Sequence, residues 1–310
     1  MFVVCGEALF DLFAGEGPDG LSFDARIGGS PFNVAVGLAR LGQRAALLTG
    51  MSTDPLGGRL VAALAGEGVE TSLLVRTNRP TTLSLVDVGP DGGPAYTFYG
   101  SGAADRALDP DDVPELDPEV WGLHFGSYSL VVEPVGGTLL GLARREARRR
   151  LVTLDPNVRP TIEPDLDVWR KRIDAFAATA DLVKVSSEDL ALLYPGQDLD
   201  EAAARWLGSG AAVVVVTLGP DGALALTPSG RIAIPGVPVM VADTVGAGDT
   251  FQAALVTALA ETGNTTHSRL ASLSVAELER MLRFAATAAA LTCGRRGADL
   301  PRRNELPSLN

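Results

Sequence analysis

Short apolar runs bounded by turn residues alternate with longer stretches of helical period along most of this chain. That alternation predicts a parallel sheet covered by helices on both faces. Strands are expected over residues 2–5, 45–49, 122–125, 151–154, 182–185 and 212–217. Helices are expected over 31–41, 56–65, 135–150, 166–178, 200–207, 248–260 and 275–292. Two stretches break the pattern. Residues 81–88 and 95–99 read as paired strands across the turn-rich Gly89-Pro-Asp-Gly-Gly-Pro94, and 12–27 is a Gly-rich extended segment. Together they predict a small β lid, about 12–27 and 81–101, inserted into a single domain spanning 1–310. A further hairpin, 223–227 and 231–234, continues the main sheet as an antiparallel edge. The fold class is α/β, a mostly parallel sheet with helices on both faces plus the lid.

Composition narrows the functional classes. Hydrophobic residues make up 46% and charged residues 21% of 310, which excludes disorder, and aromatics at 5% leave the interior to Ala, Val and Leu. A net charge of -12 lacks the broad basic surface that nucleic acid or an anionic membrane attracts, so neither is an expected partner. No membrane span is expected, residues 1–11 meet Glu7 before any apolar leader core forms, and Cys5 and Cys293 are expected to be free buried thiols. These readings place the protein in the cytoplasm. The basic run 144–150 reads as a solvated helix face above Leu139, Leu142, Ala143 and Ala147. His124 reads as a hydrogen-bonded core histidine and His267 as a loop residue.

The densest chemical signal is Asp243-Thr-Val-Gly-Ala-Gly-Asp-Thr-Phe251, opening a helix. Small residues at Gly246, Ala247 and Gly248 let the backbone approach an anion, and free N–H groups at the helix start point toward it. Asp249, in the first helical turn, would lie beside a phosphate and could accept a proton from an attacking hydroxyl. The helix N-terminus is expected to lower its pKa, which phosphoryl transfer tolerates because orientation outweighs basicity there. A plain Gly-rich turn is the alternative.

Two further segments are suggestive. In Gly28-Gly-Ser-Pro-Phe-Asn33, Ser30 is expected as N-cap, Pro31 as the first helical residue and Gly42 as the stop, while Asn33 offers a donor and an acceptor to hydroxyls. Alone, this also fits a capped helix with an exposed Asn33. Asp11 follows the first strand's carboxyl end, where open α/β sheets bind ligands, although a solvated turn Asp fits equally. No Gly-x-x-x-x-Gly-Lys-Ser/Thr string occurs. The one Gly-x-Gly-x-x-Gly, residues 15–20, is acidic, contains Pro18 and leads into no apolar helix, so a dinucleotide site is rejected.

These motifs resemble those of the ribokinase-like carbohydrate kinases, and within them the sequence is most similar to bacterial fructokinases. The likeness runs nearly the whole length. It is carried by residues 28–33 and 243–249, with support from residues 6–11, Ala104-Asp-Arg-Ala107, His124-Phe-Gly-Ser127, Asp155-Pro-Asn-Val-Arg159 and Thr217-Leu-Gly-Pro-Asp-Gly222. The resemblance implies an ATP-dependent sugar kinase, with Mg²⁺ between the phosphates, in some members a monovalent cation such as K⁺, and a possible homodimer through the lid. It implies that Asp11, Gly28, Gly29 and Asn33 hold the sugar, with Arg106 and Arg159 as candidate contacts. Asp249 then takes the proton while Gly246, Ala247 and Gly248 neutralise the phosphoryl, and Thr217, Gly219, Gly222 and Thr244 lie along the nucleotide. Arg159 could instead form a surface ion pair. Many relatives carry Asn-x-x-Glu where this chain has Ser186-Ser-Glu-Asp189, so Asp189, or alternatively Glu188, takes the indirect metal position. The expected acceptor is D-fructose. A kinase for another small sugar or for a sugar acid such as 2-keto-3-deoxygluconate, or a non-catalytic sugar sensor, is the alternative.

Overall fold

The computed structural model describes residues 1–17, 20–88 and 94–309. In chain order the elements are β1 (Phe2–Cys5), β2 (Leu9–Gly17), β3 (Gly20–Gly28), α1 (Ser30–Arg40), β4 (Ala45–Ser52), α2 (Pro55–Gly66), β5 (Leu74–Thr77), β6 (Leu83–Val88) and β7 (Pro94–Tyr99). They continue with β8 (Gly122–Gly126), α3 (Val135–Glu146), β9 (Leu151–Asp155), α4 (Leu166–Ala177), β10 (Leu182–Ser186), α5 (Ser187–Leu193), α6 (Leu199–Gly208) and β11 (Val213–Thr217). The chain closes with β12 (Ala223–Thr227), β13 (Gly230–Ile234), α7 (Ala247–Glu261), α8 (His267–Ala271) and α9 (Val275–Cys293).

A nine-stranded sheet runs β13-β12-β11-β10-β9-β8-β1-β4-β5. Its pairings are parallel except for β11/β12 and β12/β13, the antiparallel edge that the hairpin pattern predicts. Side chains alternate across it. Phe2 and Val4 of β1 join the core under α1, α7 and α9, while Val3 and Cys5 join the one under α3, α4 and α6. With helices on both faces a strand can be buried throughout, as all eight residues of β4 illustrate.

A separate four-stranded sheet runs β3-β2-β6-β7. The segment 12–27, expected as one extended stretch, is a hairpin of β2 and β3, because the alternation of Leu12, Ala14, Phe23 and Ala25 lets the two strands share an apolar face. The turn expected over 89–94 falls mainly on residues 89–93, outside the described residues, as do Pro18 and Asp19 of the rejected Gly-rich string.

Several other expectations are corrected. Helix α3 ends at Glu146 rather than at 150: Ala147 is extended (φ -50°, ψ 132°) and Arg148 is left-handed (φ 63°). The basic run is a solvated helix face only at Arg144 and Arg145; beyond the helix Arg148 pairs with the buried Asp181, and Arg145 and Arg150 pair with the buried Glu146. His267 opens α8 and bonds Asp181 at 2.8 Å instead of lying in a loop. Cys5 is a buried free thiol, whereas Cys293 is only half-buried. Strand β5 and the short helices α5 and α8 lie outside the expected elements.

Candidate active site

The C-terminal ends of β1, β8 and β9 open into a cavity of about 510 Å³ roofed by the small sheet, the position where α/β sheets bind ligands. Helices α1 and α7 enter it with their N-termini. They lie close together at Gly37, where a Cβ would sit 2.8 Å from that of Ala253.

Asp249 is the third residue of α7 and is 8% exposed. Its Oδ1 accepts Ser30 Oγ at 2.7 Å and its Oδ2 accepts Asn33 Nδ2 at 2.8 Å. Ser30 is therefore not the N-cap: Gly29 takes that place with φ 104°, Pro31 follows as the second helical residue, and the Ser30 hydroxyl is freed to reach across. The expected lowering of the Asp249 pKa is reversed. Burial raises it, against the opposing pull of the Ser30 and Asn33 hydrogen bonds and of Lys184, because removal from water outweighs the helix terminus.

The preceding turn takes a shape that only glycine adopts readily, as a close-approach anion-binding loop needs. Gly246 holds φ 79°, and a Cβ there would come 2.7 Å from that of Ala298. The Ala247 amide already donates to Thr244 O at 3.2 Å. Gly246 and Gly248, whose amides have no acceptor among the described residues, are left to face the cavity.

Behind the loop, Lys184 Nζ donates to Asp155 Oδ2 at 2.7 Å, both side chains being buried. A Cβ on Gly248 would lie 3.1 Å from that ammonium, so the charge sits directly against the loop. Sequence reasoning passed over Lys184. Its signal was present: it is one of two lysines in the chain and interrupts an otherwise apolar strand.

Across the cavity Asp11 projects from β2 rather than from a turn, paired in register with Arg26 and Ser84. Burial raises its pKa, eased by Ser84 and by the Arg159 guanidinium. Its carboxylate rests against Gly28, where a Cβ would collide with it. Arg26, Tyr96, Phe98 and Arg159 complete that wall.

The cavity thus gathers Asp11, Gly28, Gly29, Asn33, Arg159, Thr244, Gly246, Gly248 and Asp249. Arg106 does not line it, because its guanidinium lies 5.0 Å over the Tyr128 ring, behind the wall. Arg26, unremarked in the sequence, is there instead. Thr217, Gly219 and Gly222 share the same pole at the end of β11 but stand outside the cavity. Asp189 also stands outside, its Oδ1 accepting the Val158 amide at 3.1 Å and its pKa raised to about 6 by burial and Asp155, while Glu188 is exposed. His124 is the expected core histidine: it is fully buried, its Nδ1 is 2.9 Å from Thr153 Oγ1, and burial drops its pKa to about 3.

Residues 2–305 match the family model of the pfkB family carbohydrate kinases, and the chain belongs to that family. It is 39% identical over 274 residues to a fructokinase of Rhizobium leguminosarum bv. trifolii, covering 88% of this chain and 84% of the relative. Among solved structures, a fructokinase with bound ATP from Xylella fastidiosa superposes with a TM-score of 0.91 at 28% identity, covering 98% of this chain and 96% of that one. A fructokinase from Vibrio cholerae O395 in fructose, ADP and calcium ion bound form gives a TM-score of 0.81 at 28% identity, with 96% and 94% covered. The fold is ribokinase-like, and the chain is an ATP-dependent sugar kinase.

Proposed function

From membership of the pfkB family, we propose that this chain is a fructokinase, moving the γ-phosphoryl group of ATP onto a hydroxyl of D-fructose with Asp249 as the base. The observation that carries the reading is the convergence of Asp249, Ser30 and Asn33 beside the Gly246–Gly248 turn, facing Asp11 across one cavity. The attacking hydroxyl gives its proton to Asp249 as its oxygen bonds to the γ-phosphorus and the bond to the ADP oxygen breaks. Amides of Gly246 and Gly248 and the Lys184 ammonium offset the charge on the transferring group. Asp11, Gly28, Gly29 and Asn33 accept and donate hydrogen bonds to the sugar, Arg159 lies at its edge, and Thr217, Gly219, Gly222 and Thr244 follow the nucleotide.

For the metal, no three acidic, His or Cys side chains converge among the described residues, yet Asp155 keeps a buried, unpaired Oδ1. That suits Mg²⁺, which binds mainly through phosphates and water and would supply charge neutralisation, with Asp155 and Asp189 as its water-mediated protein contacts. A monovalent cation such as K⁺ would belong to the carbonyls near residues 243–246. The small sheet serves as the sugar's lid. Strand register turns Leu21 (74% exposed), Phe23 (47%) and Tyr99 (62%) away from the cavity, a surface suited to homodimerisation through the lid. No described helix is long and apolar enough to cross a membrane, and two free thiols suit a reducing compartment, which supports a cytoplasmic enzyme.

A panel of sugars screened for ADP release with Mg-ATP tests the acceptor. D-Fructose should exceed 2-keto-3-deoxygluconate in kcat/KM by at least about tenfold. Arg159 and Arg26 at the cavity wall favour a second reading, a sugar acid with its carboxylate on Arg159, and a preference for the acid would establish it.

A further inference from the structure

Glu7 follows the end of β1 and is 1% exposed although it lines the cavity. Its Oε2 accepts Ser129 Oγ at 2.5 Å, and the Ser127 hydroxyl lies beside the same carboxyl. Its carbonyl oxygen backs Gly29, where a Cβ would come within 2.7 Å. Ser127, a cavity residue, holds φ 58°, a conformation that costs a side chain of its type free energy and persists only where its surroundings enforce it. One carboxyl therefore ties the end of β1 to a strained turn at the end of its neighbour β8.

We propose that Glu7 is a positioning residue for the sugar, holding Ser127 and Ser129 through its carboxylate so that sugar affinity follows its ionisation. This rests on reading the cavity as the sugar site. An ionised carboxylate only accepts, so both hydroxyls donate to it. A protonated carboxyl must donate one bond itself, so one serine hydroxyl becomes its acceptor and has to send its own hydrogen elsewhere, which changes what it offers the cavity. Burial, with Asp105 adding repulsion, pushes Glu7 up to about 7, which brings this change into the working range of pH. The groups facing it are Asp105 on the turn Ala104–Arg106, itself offset by Arg106, and Tyr128 on the turn Ser127–Leu130, while α1 presents the neutral Pro31 beside Gly6. Asp105 is already engaged by Thr82 Oγ1 at 2.5 Å and Tyr128 OH at 2.6 Å, so it gives Glu7 no hydrogen bond in exchange.

The experiment measures KM for sugar and for ATP between pH 6 and 8.5 in the wild type, Glu7→Gln and Ser129→Ala. In the wild type, sugar KM should fall about 3- to 10-fold as pH rises, the equivalent of one hydrogen bond, with a midpoint near 7 and a flat ATP KM. Glu7→Gln should remove the pH dependence of sugar KM. Ser129→Ala should move the midpoint upward, because that hydroxyl stabilises the ionised form, and it decides the matter by itself if Glu7→Gln does not fold. A flat wild-type profile, an unchanged slope in Glu7→Gln or a fixed midpoint in Ser129→Ala overturns the inference. Absence of turnover with any sugar overturns the reading of the site, and this inference with it, a result distinct from turnover with unaltered pH profiles.

Discussion

The two ends of the main sheet each bury carboxylates, and they treat them differently. At the end where β9 and β10 begin, Asp181 takes Arg148 and His267 on Oδ1 and the Val152 amide on Oδ2. Glu146 beside it is held by Arg145 and Arg150. At the end where the strands finish, Asp155 Oδ1, His124 Nε2 and Gln252 Oε1 are buried without partners. There Glu7 and Asp189 are raised to about 7 and about 6, and Asp11 and Asp249 are raised as well. Raised carboxylates gathered around one cavity mark a candidate functional site. Carboxylates at the first end are matched by cations, whereas at the second end Glu7, Asp11 and Asp249 line an open cavity.

The contrast is sharpest at Asp249. Replacing it with Asn keeps size but removes proton acceptance, and kcat should fall about 10²- to 10⁴-fold while ATP still binds, as steady-state kinetics and nucleotide titration would establish. Because burial raises the Asp249 pKa and the ionised form is the base, wild-type kcat should decline with falling pH along a limb lying above the ordinary carboxylate range. Near-normal turnover in Asp249→Asn would break the comparison outright.

A smaller effect separates sugar from nucleotide. Asp11→Ala or Asn33→Ala removes a buried hydroxyl partner worth about 1 to 3 kcal/mol, so sugar KM should rise about 5- to 150-fold with ATP KM little changed. If ATP KM rises instead, the cavity's orientation is reversed. The smallest change in turnover belongs to the other end of the sheet. Asp181→Asn leaves a buried donor facing an amide NH2, although Arg148, 43% exposed, can rehydrate, so it should lower unfolding free energy in urea by about 1 to 3 kcal/mol and leave kcat within about twofold. A large loss of turnover there would mean that the two ends are coupled.

The sequence made much of this visible. Apolar runs located the strands of the main sheet other than β5, and the two Gly-rich signatures marked the residues that converge on Asp249. Hidden from it were features that depend on what lies across space. Ser30 has the composition of an N-cap, yet its hydroxyl is claimed by Asp249, 219 residues further along the chain. Helical period carried α3 to residue 150, whereas the buried carboxylates of Glu146 and Asp181 draw the arginines inward and end it at 146. Arg106 looked like a ligand contact because it stands in a family-like string, and only the fold puts the Tyr128 ring between it and the cavity. Lys184 and Glu7 were legible as lone charges in apolar strands or strand ends, a signal as informative as the glycine motifs.

Gly37 does not line the cavity, yet it sets how finely the site is adjusted. With no side chain there, the helix bearing Ser30 and Asn33 seats directly on the one bearing Asp249. The two act as the jaws of a caliper closed on a single spacer. Even a methyl group on the spacer would open the jaws, and both hydrogen bonds to the base would stretch together. Turnover would then fall with every residue of the cavity still in place, so that an alanine at 37 would imitate an active-site lesion from inside the core.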